Sequence, residues 1–190
     1  MITPADLCRF SSLRLTTICL CFISFAVYAL YYGPILVIDK IGFDIFVSSY
    51  VVQFSELIVY VPLYLVVDKV PRQKAGMVLF GIAGSCASLL LFITKPVGCD
   101  FCPQAVAELI IVAIFRSSSA LYFILMYIYM VELYPARSRA MGGGIASSVG
   151  TLASSLSPII LGIFDRNDLN PNILFAVLAL LSVGVVTLLP

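Results

Sequence analysis

Two ionisable residues stand where few belong. Glu56 lies about halfway along one long apolar run, and Arg116 lies well inside another. An arginine at the centre of a membrane helix costs at least ~2.5–3.5 kcal/mol on insertion scales. Such a residue faces a bundle interior, pairs with a partner, or lines a solute path. The opposite signs of Glu56 and Arg116 make mutual pairing natural. On spacing alone, a buried structural ion pair and a role in binding or coupling a solute both stay open. Aromatic residues such as Tyr28, Tyr32 and Tyr127 could wall such a path or serve as ordinary packing.

Two polar clusters carry further chemistry. One is Asp68-Lys69-Val70-Pro71-Arg72-Gln73-Lys74, and the other is Glu132-Leu133-Tyr134-Pro135-Ala136-Arg137-Ser138-Arg139. Each sets an acid at a helix end and bases a few residues on. Asp68 and Glu132, partnered by Arg72 and Arg139, could form a salt-bridge cluster that holds one conformation and breaks in another. The plain alternative is ordinary positive charge on the cytoplasmic side.

Other chemistry is disfavoured. The chain has no histidine, which removes the commonest general base and metal ligand. An enzyme is not expected, and neither a metal nor another cofactor is. Cys8, Cys19, Cys21 and Cys86 lie in or beside apolar segments, where cysteine acts as a small hydrophobe. Cys99 and Cys102 form a C-x-x-C that supplies only two metal ligands. A local turn, a disulfide and a metal contact all remain open for that pair. A net charge of +1 gives no reason to expect a nucleic-acid partner.

The elements that must carry these residues are membrane helices. The 190 residues are 62% hydrophobic and 11% charged, with a mean hydropathy of +1.11. A soluble domain carries about 25% charged residues, so lipid must be the solvent for most of the exterior. A helix needs about 20 mostly apolar residues to span the hydrocarbon core. Six stretches qualify or come close: 16–37, 45–67, 76–94, 105–131, 140–164 and 172–189. Barrel strands are about ten alternating residues long, and these runs are continuous. The expected fold is therefore an all-α integral membrane protein with six transmembrane helices over 16–190, preceded by a lead-in at 1–15. The first apolar run is too long for the apolar core of a secretory signal.

Lysine and arginine set the expected orientation. Arg9, Arg14, Lys69, Arg72, Lys74, Arg137 and Arg139 fall on the N-terminal side, against Lys40, Lys95 and Arg166 opposite. Both termini are thus expected on the cytoplasmic or matrix-equivalent side. Helix five repeats small residues at every fourth position, as Gly143, Ser147, Thr151, Ser155 and as Gly142, Ala146, Gly150, Ser154. That spacing allows close helix contact within lipid, either fixed or sliding. Pro158 could kink the same helix.

The order of these motifs resembles one known family. Glu132 to Arg139 reads E-L-Y-P-x-x-x-R and is followed by M-G-G-G. It is similar to the loop between the tenth and eleventh helices of the organic cation/anion transporters of the major facilitator superfamily. The D-K-V-P-R-Q-K run resembles that family's D-R-x-G-R-R element after the eighth helix, with Pro71 in place of the glycine. Tyr31-Tyr32-Gly33 resembles a motif ending the seventh helix, and Ser157-Pro158 one late in the eleventh. Leu188-Leu189-Pro190 resembles the start of a motif after the twelfth. Thr151 stands where many members carry a charged residue that selects ionic substrates.

The resemblance covers almost the whole chain and implies the C-terminal six-helix half of a twelve-helix transporter. Such carriers bind solute between two halves and work by rocking one against the other. The resemblance therefore implies a half-transporter for small organic ions or zwitterions, with a second six-helix half as partner and lipid around it. Glu56, Arg116, Thr151 and Tyr32 are the candidates for the solute path. Asp68, Arg72, Glu132 and Arg139 are the candidates for a cytoplasmic gate. The alternative is a non-transporting structural subunit, derived from a transporter half, in a larger membrane complex. The plasma membrane and the mitochondrial inner membrane are both candidate locations.

Overall fold

A computed structural model describes residues 11–40, 45–66, 69–92, 103–136, 138–167 and 169–189. Asp68, Cys99 and Cys102 lie outside the described residues. Among the described residues there are six α-helices: α1 Ser11–Tyr32, α2 Ile45–Val66, α3 Arg72–Phe92, α4 Pro103–Leu133, α5 Arg139–Arg166 and α6 Asn172–Thr187. Among the described residues there is no strand. The chain is an all-α integral membrane protein, as its composition requires.

The helix bounds shift from the apolar runs for local reasons. The first run was expected to stay helical to residue 37, but α1 ends at Tyr32 and continues as a 3-10 segment, Gly33–Lys40. Pro34 has no N–H to return to the carbonyl four residues back, so the α ladder cannot continue through it. Pro103 opens α4, where the missing N–H would have had no helical partner anyway. Helix α3 begins at Arg72, four residues before its apolar run, because Ala75 N–H already bonds the Pro71 carbonyl at 3.0 Å. Pro158 sits inside α5 without ending it.

Length separates the helices. The segment Leu13–Leu36 and the helices α3, α4 and α5 are each long and apolar enough to cross a bilayer. Helix α4, at 31 residues, is ~46 Å long at 1.5 Å per residue. Helix α6 is apolar but has 16 residues, or ~24 Å, short of the ~30 Å hydrocarbon core. The apolar stretch Ile45–Val61 of α2 is also shorter than the four long spans.

The helix contacts follow one plan twice. Helices α1 and α4 touch at the centre. Helix α5 packs mainly on α1, and α2 mainly on α4. Helices α3 and α6 pack on each other, with α3 also against α4 and α6 against α1. Thus α1, α2 and α3 correspond to α4, α5 and α6, an internal repeat of the kind transporter folds use. The main core lies where α1, α3, α4 and α6 meet, around Leu20, Ile23, Phe80, Ala87, Met126 and Ala179. Helices α2 and α5 stand apart on the opposite side, flanking α1 and α4.

Small residues set the closest approaches. On α5 the buried row is Gly142, Ala146, Gly150, Ala153 and Ser157. A Cβ on Gly150 would come within 2.5 Å of the Tyr28 ring, and one on Gly142 would strike the Tyr134 ring. The second row, Gly143, Ser147, Thr151 and Ser155, is half-buried to exposed, and a Cβ on Gly143 would meet nothing. Of two rows alike in sequence, the fold uses one for packing.

Candidate functional site

The two mid-membrane charges meet. Arg116 Nε lies 2.6 Å from Glu56 Oε1, and the side chains are 2% and 7% exposed. Their helices, α4 and α2, are locked alongside by Ser55 and Ser117, whose hydroxyls are 3.1 Å apart. The Arg116–Glu56 contact is one of charge. Neither Nε nor Oε1 has an aligned hydrogen-bond partner, although the two atoms are close.

Two tyrosines complete the shell. Tyr31 reaches both charges. Its ring lies 3.6 Å beneath the Arg116 guanidinium carbon, its carbonyl accepts from Nη1 of Arg116, and its hydroxyl donates to Glu56 Oε2 at 3.4 Å. A cation over an aromatic face gains up to about 2 kcal/mol when desolvated. Tyr60, one turn beyond Glu56 on α2, donates to the same oxygen at 3.4 Å. Tyr60 was legible from its i, i+4 spacing to Glu56. Tyr31 was not, because only the crossing of α1 over α4 brings it there.

An aromatic floor runs from this pair between α1 and α4. Tyr31 packs on Phe123 at 4.9 Å between ring centroids, and Phe123 on Tyr28 at 4.9 Å and Tyr127 at 5.5 Å. The Tyr28 and Tyr127 hydroxyls are 2.5 Å apart. Tyr32 lies edge-on to Tyr31 at 5.0 Å and is 39% exposed, as is Tyr127. Thr151 is exposed on α5, directly after the Gly150 that touches Tyr28, and its hydroxyl donates to the Ser148 carbonyl at 2.9 Å. Glu56 and Arg116 thus meet, Tyr32 is linked to them through the Tyr31 ring, and Thr151 is exposed on α5.

At the other end, Arg72 and Glu132 form an exposed bidentate pair. Nε of Arg72 donates to both carboxylate oxygens at 3.2 and 3.3 Å, and Nη2 to Oε1 at 3.2 Å. Arg139 is exposed and forms no ion pair with a described residue. Of the four residues expected to cluster there, the structure brings Arg72 and Glu132 together. Asp68 lies outside the described residues. Among the described residues, no group of three or more metal-ligating side chains gathers.

Comparison with known proteins meets these features. No family model matches the chain. The chain is 32% identical over 187 residues to the organic cation/carnitine transporter 2 of Homo sapiens, covering 97% of this chain and 32% of that protein. It is 29% identical over 187 residues to solute carrier family 22 member 21 of Mus musculus, with 96% and 31% covered. It is 27% identical to solute carrier family 22 member 7 of Rattus norvegicus over 187 residues, with 97% and 33% covered. The chain thus spans about a third of the length of these relatives. Together with the helical repeat, the matches bear out the resemblance: the chain carries a partial region of the organic cation/anion transporter type within the major facilitator superfamily.

Proposed function

We propose that this chain forms one side of a membrane path for small organic ions or zwitterions, completed by a second six-helix half. The observation that carries this reading is the buried Glu56–Arg116 pair at the end of an aromatic floor on which Tyr32 and Tyr127 are exposed. A buried ion pair adds little stability against apolar residues of equal volume, so a path gives it a reason to exist. Arg116 would receive a solute carboxylate, and Glu56 with the tyrosine faces would receive a cationic group. Tyr32 and Thr151 would line the open side. Arg72 and Glu132, with Asp68 and Arg139, would gate the cytoplasmic end, and both chain termini would lie on that side.

Uptake of labelled small cations, anions and zwitterions into cells expressing the chain tests this reading. Arg116→Ala should abolish uptake, and the milder double variant, Glu56→Gln with Arg116→Gln, should abolish it too while the assembled protein remains in the membrane. The competing reading is a structural subunit of a larger membrane complex. Helix α2 favours it by exposing Phe46, Tyr50, Phe54, Leu57, Ile58 and Val61, a face suited to other membrane subunits. Under that reading, purification in mild detergent would return a multi-subunit complex, no solute would be taken up, and Arg116→Ala would harm assembly alone.

A further inference from the structure

We infer that Gln73 and Tyr134 are positioning residues that tie the Arg72–Glu132 pair to the cytoplasmic ends of α6 and α1. The inference rests on the reading of that pair as the cytoplasmic gate. The geometry is as follows. Arg72 and Gln73 are neighbours in the first turn of α3 and leave it in different directions. Arg72 goes to Glu132 at the end of α4. The Gln73 side-chain amide donates to the carbonyls of Val186, Thr187 and Leu189, at 3.3, 3.2 and 2.8 Å. The last carbonyls of a helix have no partner within it, and near a membrane such groups are costly to leave unmet. Gln73 therefore serves as the cap of α6, supplied from another helix.

Glu132 and Tyr134 repeat the arrangement across the gate. Glu132 takes Arg72. Two residues on, Tyr134 turns inward until it is 1% exposed. Its hydroxyl donates to Thr17 Oγ1 at 2.9 Å, and Thr17 in turn donates to the Leu13 carbonyl at 2.7 Å. The Tyr134 ring fills the space that a side chain on Gly142 would need, so the ring is seated on α5 as well. Burial pushes the Tyr134 phenol above its usual value. The hydroxyl thus remains a donor throughout the physiological range. Each gate charge has beside it a residue gripping a different helix end. Separating Arg72 from Glu132 must then loosen α6 through Gln73 and α1 through Tyr134, and α1 carries Tyr31 at its far end.

Amide hydrogen exchange on the full-length protein in detergent or nanodiscs reads this coupling without any solute. Glu132→Gln should speed exchange about fivefold, ~1 kcal/mol at tenfold per 1.4 kcal/mol, in the last turn of α6 and around residues 13–17 of α1 together. Gln73→Ala should affect the α6 end alone, and Tyr134→Phe the α1 end alone. Thr17→Val should reproduce Tyr134→Phe, and Thr17→Ser should restore normal exchange. If Glu132→Gln changes exchange only at the facing ends of α3 and α4, the inference is overturned. If the exchange pattern is as expected but no solute is taken up, the coupling stands and the transport reading alone fails.

Discussion

At the scale of single residues, the Glu56–Arg116 pair makes the sharpest demands. Removing one partner leaves the other charge buried and unmatched, which costs about 3–5 kcal/mol. Glu56→Gln and Arg116→Gln should each destabilise the protein strongly, and the double variant should cost clearly less than their sum. Thermal unfolding in detergent measures this, and strict additivity would rule the pair out as an energetic unit. Tyr31→Phe keeps the ring beneath Arg116 and removes only the hydroxyl on Glu56. It should cost about 1 kcal/mol while leaving the guanidinium in place. Both charges were legible in the sequence, because an ionisable residue inside a long apolar run is conspicuous. Their contact was not, since the rotation of a helix about its axis depends on neighbours that one chain's pattern does not name. Tyr31 shows this plainly: it joins the site through the crossing of α1 and α4, whereas Tyr32 beside it is the more exposed of the two.

At the scale of helices, α5 gives the clearest test. Its two rows of small residues look equivalent in sequence, yet only Gly142, Ala146 and Gly150 among them are buried. The choice is made by two rings from elsewhere, Tyr28 of α1 and Tyr134 after α4. Gly150→Val should drive a side chain into Tyr28 and cost roughly 1–3 kcal/mol. Gly143→Val, with nothing within 4 Å of its Cβ, should change the melting temperature of the isolated chain very little. Equal effects of the two would mean that α5 is turned differently. The helices themselves were easy to read, since some 20 apolar residues between polar breaks leave little choice. The break of α1 at Gly33-Pro34 was missed because the apolar run continues through it: hydropathy does not register a missing N–H.

At the scale of the whole molecule, the repeat places α2 and α5 as walls beside α1 and α4, and α3 and α6 behind. A solute path then predicts where water reaches. A cysteine at Thr151 or Ser155, on the open face of α5, should react with a membrane-impermeant thiol reagent and be protected by transported solute. A cysteine at Phe92, 82% exposed on α3 behind the bundle, should not be protected by solute. Solute protection at Phe92 and none at Thr151 would place the path on the wrong side of the bundle.

The claim that Glu56 and Arg116 serve a solute path is tested most directly by exchanging them. Glu56→Arg with Arg116→Glu keeps an ion pair between α2 and α4 and reverses what each wall offers to a solute. Uptake by cells producing this double variant, with surface abundance measured alongside, is the decisive measurement. A path predicts near-normal abundance with uptake lost or its preference among charged solutes changed. Unchanged uptake with unchanged preference would contradict it and leave the pair a purely structural bond.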